Sequence, residues 1–366
     1  MRTRVAVTAL TALCACDTAV TAGPRALQPV NATLEHEFTS ILSMRELRDG
    51  RVLIADEGDN RLVVANVSTG QVAGVGAVGA GPGEFEGVGR LLSLPADSTL
   101  LVDQGNGARW LLLVGTQIVA TISPPDSALQ IAGANLSGAA EYGEVLTLRY
   151  SRGATLPSGV IQGEATALRV RRASGETDTV TQMRSRDMQL RESGPPANPT
   201  RIMFQVVYSD PEPALMFGDG WVAVARRAPY RVEWYPPKQA PILGAPIPWT
   251  APKVTEAEKQ AWESRAVARL GKPLAFGANV VPFADEVPPF RENGLFATPE
   301  GTLLIAKARW SGSIGTEYDL VDRRGVLVST LRLPESERVV GFGRKSVYTA
   351  VRDADDIERL QRHPWP

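Results

Sequence analysis

The chain has 366 residues, 43% of them apolar, and 39 basic residues stand against 40 acidic ones. It is long enough for one large domain or two ordinary ones, and the balanced charge gives no global pull toward nucleic acid or a membrane surface. Two histidines and two cysteines leave little from which to build a zinc site, a Ser-His-Asp base or a disulfide framework.

Arg2 and Arg4 precede a short apolar run, Val5–Leu13, that is too brief to span a bilayer. The following Leu13-Cys14-Ala15-Cys16 resembles a bacterial lipobox. That resemblance implies a signal peptide over 1–16, lipidation of Cys16 and a place in the cell envelope, facing the periplasm or the exterior. A signal-peptidase cut after Val20-Thr21-Ala22 is the alternative. Residues 17–29 are small and polar enough to be a tether. The membrane is then reached through the lipid alone.

The stretch from Asp49 to Phe85 sets the pattern for the rest. Val52–Ala55, Leu62–Val67 and Val72–Val75 are short apolar runs separated by Gly, Asn and Asp, which predicts consecutive antiparallel strands. Gly81-Pro82-Gly83 then forces a turn. The sequence VLIADEGDNRLVV followed by GAGPGEF resembles an NHL-type repeat, and this implies a six-bladed β-propeller.

Equivalent turn positions recur at Gly50, Asp97, Gly143, Gly220, Gly301 and Ser346, with spacings of 47, 46, 77, 81 and 45 residues. Three near-equal spacings and two long ones predict one propeller over 30–366 with insertions at 184–213 and 244–289. In blade three, strands are expected at Leu129–Leu136, Glu144–Arg149, Ala167–Arg171 and Asp178–Gln182. The first insertion reads as a polar, proline-bearing loop or ordered excursion. In the second, Thr255 and Glu258 have capping-box spacing and Gly271 stops the pattern, so a helix packed on a blade surface is expected, with a mobile lid as the alternative. The sixth blade is one strand short, and Val30–Glu35 is the natural strand to complete it.

Gly74-x-Gly76-x-x-Gly79 matches the dinucleotide fingerprint in letters, but Gly81-Pro82-Gly83 forbids the helix it needs. No nucleotide cofactor is expected. His36 and His363 read as surface or closure residues, and no catalytic residue is assigned. The propeller resemblance brings in calcium-dependent lactonases of the gluconolactonase and paraoxonase kind, whose metal sits in the central channel. Glu46, Asn135 and Asp219 are the oxygen ligands that inner strands offer here, but they match no pattern of that family, so no metal site is assigned.

One repeat position is more informative. At the end of each second strand stand Asp56, Asp103, Arg149, Arg226, Lys307 and Arg352. The acidic pair fits turn closure. The four basic positions, with Arg152, Arg227 and Arg309, form a candidate arc for an anionic ligand, set against a solvated rim paired to Asp and Glu. The sequence therefore points to an all-β, six-bladed envelope lipoprotein whose face binds an anionic ligand or protein partner, without nucleic acid. A channel-centred, metal-assisted hydrolase or lactonase is the alternative, and catalysis is left open.

Overall fold

The computed structural model describes residues 24–105, 109–122, 136–140, 143–193, 200–273 and 280–365. Cys16 and the lipobox, most of the tether, and Asn135 lie outside the described residues. The chain forms a six-bladed β-propeller, in which each blade is an antiparallel meander of four strands. Blade one comprises Ile41–Glu46, Val52–Asp56, Arg61–Asn66 and Gln71–Gly74. Blade two follows with Val88–Ser93, Ser98–Asp103, Trp110–Val114 and Gln117–Ile122, and blade five with Leu295–Ala297, Leu303–Ala306, Thr316–Val321 and Leu327–Leu333. The innermost strands touch in sequence around a ring, and that of blade six meets that of blade one.

Why the second strands are short unbroken apolar runs is clear from the packing. Each blade is sandwiched between two others, so both faces of Val52–Asp56 are buried, side chain after side chain. Six apolar clusters fill the six inter-blade gaps, each drawing residues from two adjacent blades. Blades three and four approach so closely at the axis that Gly138 pairs with Met216, and a Cβ there would lie 2.4 Å from the Met216 carbonyl oxygen. Gly138 also has φ +143°, a conformation strained for any other residue.

The ring closes through the N-terminal strand Ala32–Phe38, which pairs antiparallel with Glu358–Pro364 as the outer strand of blade six. The tether is shorter than its composition suggests. Arg25 stacks over the Trp365 ring at 4.1 Å, Leu27 packs on the cluster between blades five and six, and the Gln28 carbonyl meets His363.

His363 is a closure residue. Its Nδ1 lies 2.9 Å from the Gln28 carbonyl and its Nε2 3.3 Å from Glu337. Burial opposes the imidazolium, but hydrogen bonding to Glu337 and Gln28 outweighs it and raises the pKa above 6.5. Stability from this contact is thus full below about pH 6.5 and lost as pH rises through the folded value, each unit of separation being worth about 1.4 kcal/mol. Urea midpoints are expected to fall between about pH 6 and pH 8, and His363→Gln to flatten that slope.

Blade three departs most from the expected boundaries. Its inner strand is Leu136–Ala139, and its next two run twelve residues each, Glu144–Thr155 and Val160–Arg171. They reach beyond the blade to meet a hairpin, Met188–Ser193 and Thr200–Gln205, formed by the first insertion. In the second insertion, helix α1 (Glu256–Leu270) starts at Thr255, whose hydroxyl accepts the Glu258 amide, and ends at Gly271 in the left-handed region. Glu258 is buried, and its carboxylate accepts from the Tyr208 hydroxyl, from Arg265 and from the Ser311 amide. With Trp262 and Phe283 packed beside Tyr208, these bonds fasten the helix to the first insertion and to blade five.

Candidate functional site

The repeat position at the end of each second strand is a clamp. Asp56 is fully buried and accepts from the Ser40 amide at 2.9 Å and from Arg61 at 3.0 Å. Asp103 accepts from the Gly87, Glu86 and Gly105 amides and from Arg109 Nε at 2.7 Å. Burial alone would raise the Asp103 pKa, but these donors outweigh it and hold the carboxyl below its ordinary range. Each aspartate so ties the start of an inner strand to the third strand of its blade.

In blades four to six the clamp has the opposite polarity. Arg226 donates to Glu233 at 2.7 Å, Glu212 at 2.9 Å, Thr181, the Gln182 carbonyl and the Tyr235 hydroxyl. Glu212 takes over the backbone role, accepting from the Arg184 and Arg227 amides. Lys307 lies 3.9 Å from Glu317 and 3.8 Å from Asp319. Arg352 donates to Asp356 and Glu358, and Glu358 also accepts the Ile41 amide of blade one.

The other arc residues divide. Arg309 pairs with Glu335 on the rim, and Arg227 donates to the Asp210 carbonyl. Arg149 and Arg152 are exposed on the long blade-three hairpin, with no hydrogen bond or ion pair among the described residues. Of the seven, Arg352 alone lines the central channel.

That channel, about 630 Å³, is lined by inner-strand residues of all six blades. Its charged lining is Arg90, Arg291, Arg338 and Arg352 with Glu57 and Glu292. Glu57, Arg291, Glu292 and Arg352 stand where inner strands begin or second strands end, which defines one mouth, here called upper, and Arg90 and Arg338 are the third and second residues of their inner strands. A side chamber of about 290 Å³ opens beside it, lined by Gln104, Tyr150, Glu212 and Asn293 among others. Arg338 is held by Glu358 and the Ile41 carbonyl. Arg90 and Arg291 are different: neither guanidinium has a hydrogen bond or ion pair among the described residues. Burial lowers both pKa values, opposed at Arg90 by the charges of Glu292 and Glu57. Two half-buried cations thus line the channel with donors that no protein group among the described residues takes up.

The same mouth perturbs its neighbours. Burial and the charge of Glu292 push the Tyr150 hydroxyl up to about 12. Arg186 bridges Asp210 at 3.0 Å and Glu292. Burial still raises the Asp210 carboxyl.

The lactonase-type oxygen donors do not converge. Glu46 accepts from the Tyr348 hydroxyl at 2.8 Å and pairs with Arg344, while Asp219 pairs with Arg323 in a turn. Among the described residues, no three His, Cys, Asp or Glu side chains are grouped to hold a metal ion. The described residues do not fit that site.

No family model matches the chain, and no curated protein matches it. Solved structures do. A putative gluconolactonase is 11% identical over 92% of this chain and 94% of its own, with a TM-score of 0.47. Virginiamycin B lyase from Staphylococcus aureus is 7% identical over 91% and 98%, at 0.42. The calcium-binding protein regucalcin from Agrobacterium tumefaciens is 12% identical over 93% and 97%, at 0.38. Likenesses this distant carry nothing about chemistry, and the propeller architecture stands on the strand pairing described above.

Proposed function

We propose that this is an NHL-type propeller lipoprotein of the cell envelope, held by lipid on Cys16, and that it is a binding module for an anionic ligand or the anionic group of a protein partner. Its site is the upper mouth of the channel rather than the outer arc. The observation that supports this reading is the pair Arg90 and Arg291, half-buried in the channel lining without hydrogen-bond or ion-pair partners among the described residues. Guanidinium suits carboxylate or phosphate because its planar fork donates two hydrogen bonds at once.

The test screens mono- and dicarboxylates, phosphate esters and anionic glycans by thermal shift, then titrates the best hit. Arg90→Ala and Arg291→Ala should each cost about 1.5–3 kcal/mol, tenfold or more in Kd. The exposed pair Arg149→Ala/Arg152→Ala should cost less than about 1 kcal/mol. The reverse ranking would move the site to the blade-three hairpin. Calcium binding in the channel, with ester hydrolysis lost on chelation, would favour the lactonase reading instead. Mass spectrometry of the mature N-terminus tests the lipid on Cys16, and a chain starting at Gly23 would remove the anchor.

A further inference from the structure

The channel is not uniform along its length. Its six charged lining residues lie in the upper part, Arg90 and Arg338 the deepest of them by strand register. Below their level the lining includes Leu92, Leu215, Phe296, Val340 and Phe342, together with small or hydroxyl-bearing residues. One of those hydroxyls, Ser43 Oγ, is already occupied in accepting the Leu91 amide at 3.0 Å. Leu215, Phe296 and Phe342 pack against the inter-blade clusters yet keep partial exposure, and each also lines the channel.

An inner strand of six residues extends roughly 17–20 Å, so the apolar shaft is several carbon–carbon bonds deep. The channel as a whole, mouth and shaft together, holds about 630 Å³, within the range of small-molecule sites, which typically pair an apolar wall with a few placed polar groups. A small hydrophilic anion would use the arginines and leave the shaft unfilled. An amphiphile would use both.

We infer that the ligand is an amphiphilic anion, with a single carboxylate or phosphate head held by Arg90 and Arg291 and an unbranched apolar tail running down the shaft. This rests on the anion-binding reading of the same mouth and adds the chemical class. The head keeps the charge at the wetter end of the channel, and the tail gains from removal of apolar surface from water, which grows with every methylene buried. Ala297, half-buried in the shaft lining, is a position where a larger side chain would shorten the space available to a tail while leaving the arginines untouched.

The experiment titrates the full mature protein calorimetrically with acetate, octanoate and dodecanoate, each below its micelle concentration, and with dodecyl phosphate and uncharged dodecyl maltoside. Dodecanoate is expected to bind at least tenfold tighter than octanoate, with acetate weaker still and dodecyl maltoside at least tenfold weaker than dodecanoate. Arg90→Ala should weaken dodecanoate and dodecyl phosphate at least tenfold. Ala297→Phe should weaken dodecanoate while leaving octanoate within about threefold, and its thermal melt checks that it folds. Equal affinity for acetate, octanoate and dodecanoate, all lost in Arg90→Ala, would overturn the amphiphile and leave the anion site standing. Equal binding of dodecanoate and dodecyl maltoside, indifferent to Arg90→Ala, would overturn both. The chain-length series needs no variant, so the inference stays testable if Ala297→Phe does not fold. A higher affinity for dodecyl phosphate than for dodecanoate would identify a phosphate-headed lipid as the source.

Discussion

A chain shortened to begin at Thr39 is expected to lose cooperative folding. The deletion removes the outer strand of blade six, including Leu34 and Phe38, which are 0% and 1% exposed in the cluster between blades six and one. Loss of two such side chains costs about 5–10 kcal/mol by analogy with core truncations, against a whole-domain stability of roughly 5–15 kcal/mol. The deletion also bares the edge of Glu358–Pro364, a row of unpaired amides and carbonyls. Chains beginning at Gly23 should melt like the mature protein. Those beginning at Asn31 should be intermediate, because Arg25, Leu27 and Gln28 are docked. A sharp, unshifted melt for the chain starting at Thr39 would show that the closure contributes little.

Arg226→Glu should destabilise the protein by about 3–5 kcal/mol, the usual cost of stripping one partner from a buried ionic network. Arg226 is the shared cation of Glu212 and Glu233, which are 6% and 4% exposed. Reversal places a third carboxylate beside those two and removes the donors to Thr181 and the Gln182 carbonyl. Arg309→Glu faces a single exposed glutamate on the rim and should cost less than about 1 kcal/mol. Urea midpoints of the two variants decide the matter. If they coincide, Arg226 is surface charge and its many contacts carry no energy.

How much of this was legible in the sequence depends on what each element packs against. Second and third strands of the blades are buried on both sides, so their apolar runs stand out and their boundaries fall within a residue or two of those expected, as at Val52–Asp56 and Arg61–Asn66 against the runs Val52–Ala55 and Leu62–Val67. The blade-three extension carries no such signal. Ser151–Thr155 is largely exposed and, like the hairpin of the first insertion, reads as polar loop. The charged repeat position was visible, but its sign change was open to two readings. Only the positions of Glu212, Glu233 and Glu358, the last two on neighbouring strands, show the arginines there to be clamps.

The channel arginines were harder to see for a different reason. Arg45 and Arg90 both interrupt apolar inner strands, Ile41–Glu46 and Val88–Ser93. Arg45 turns into blade two, donating to the Ser98 and Leu94 carbonyls and to Thr99. Arg90 lines the channel instead. One letter in similar surroundings thus has two fates, and the choice is made by which acceptors the next blade happens to present.

The pairing of Ala32 with Arg362 also sets a schedule. The two partners are separated by nearly the whole chain, and at synthesis rates of about 5–20 residues per second the first strand waits roughly 15–65 s for its mate. During that interval blades one to five can form from local meanders, whereas blade six cannot be completed. Closure is therefore a late, long-range event in the life of each molecule, of the kind that slows folding most. Until it happens, Leu34 and Phe38 have no cluster to enter, and an early strand with a sticky face must be kept from finding another molecule's open edge.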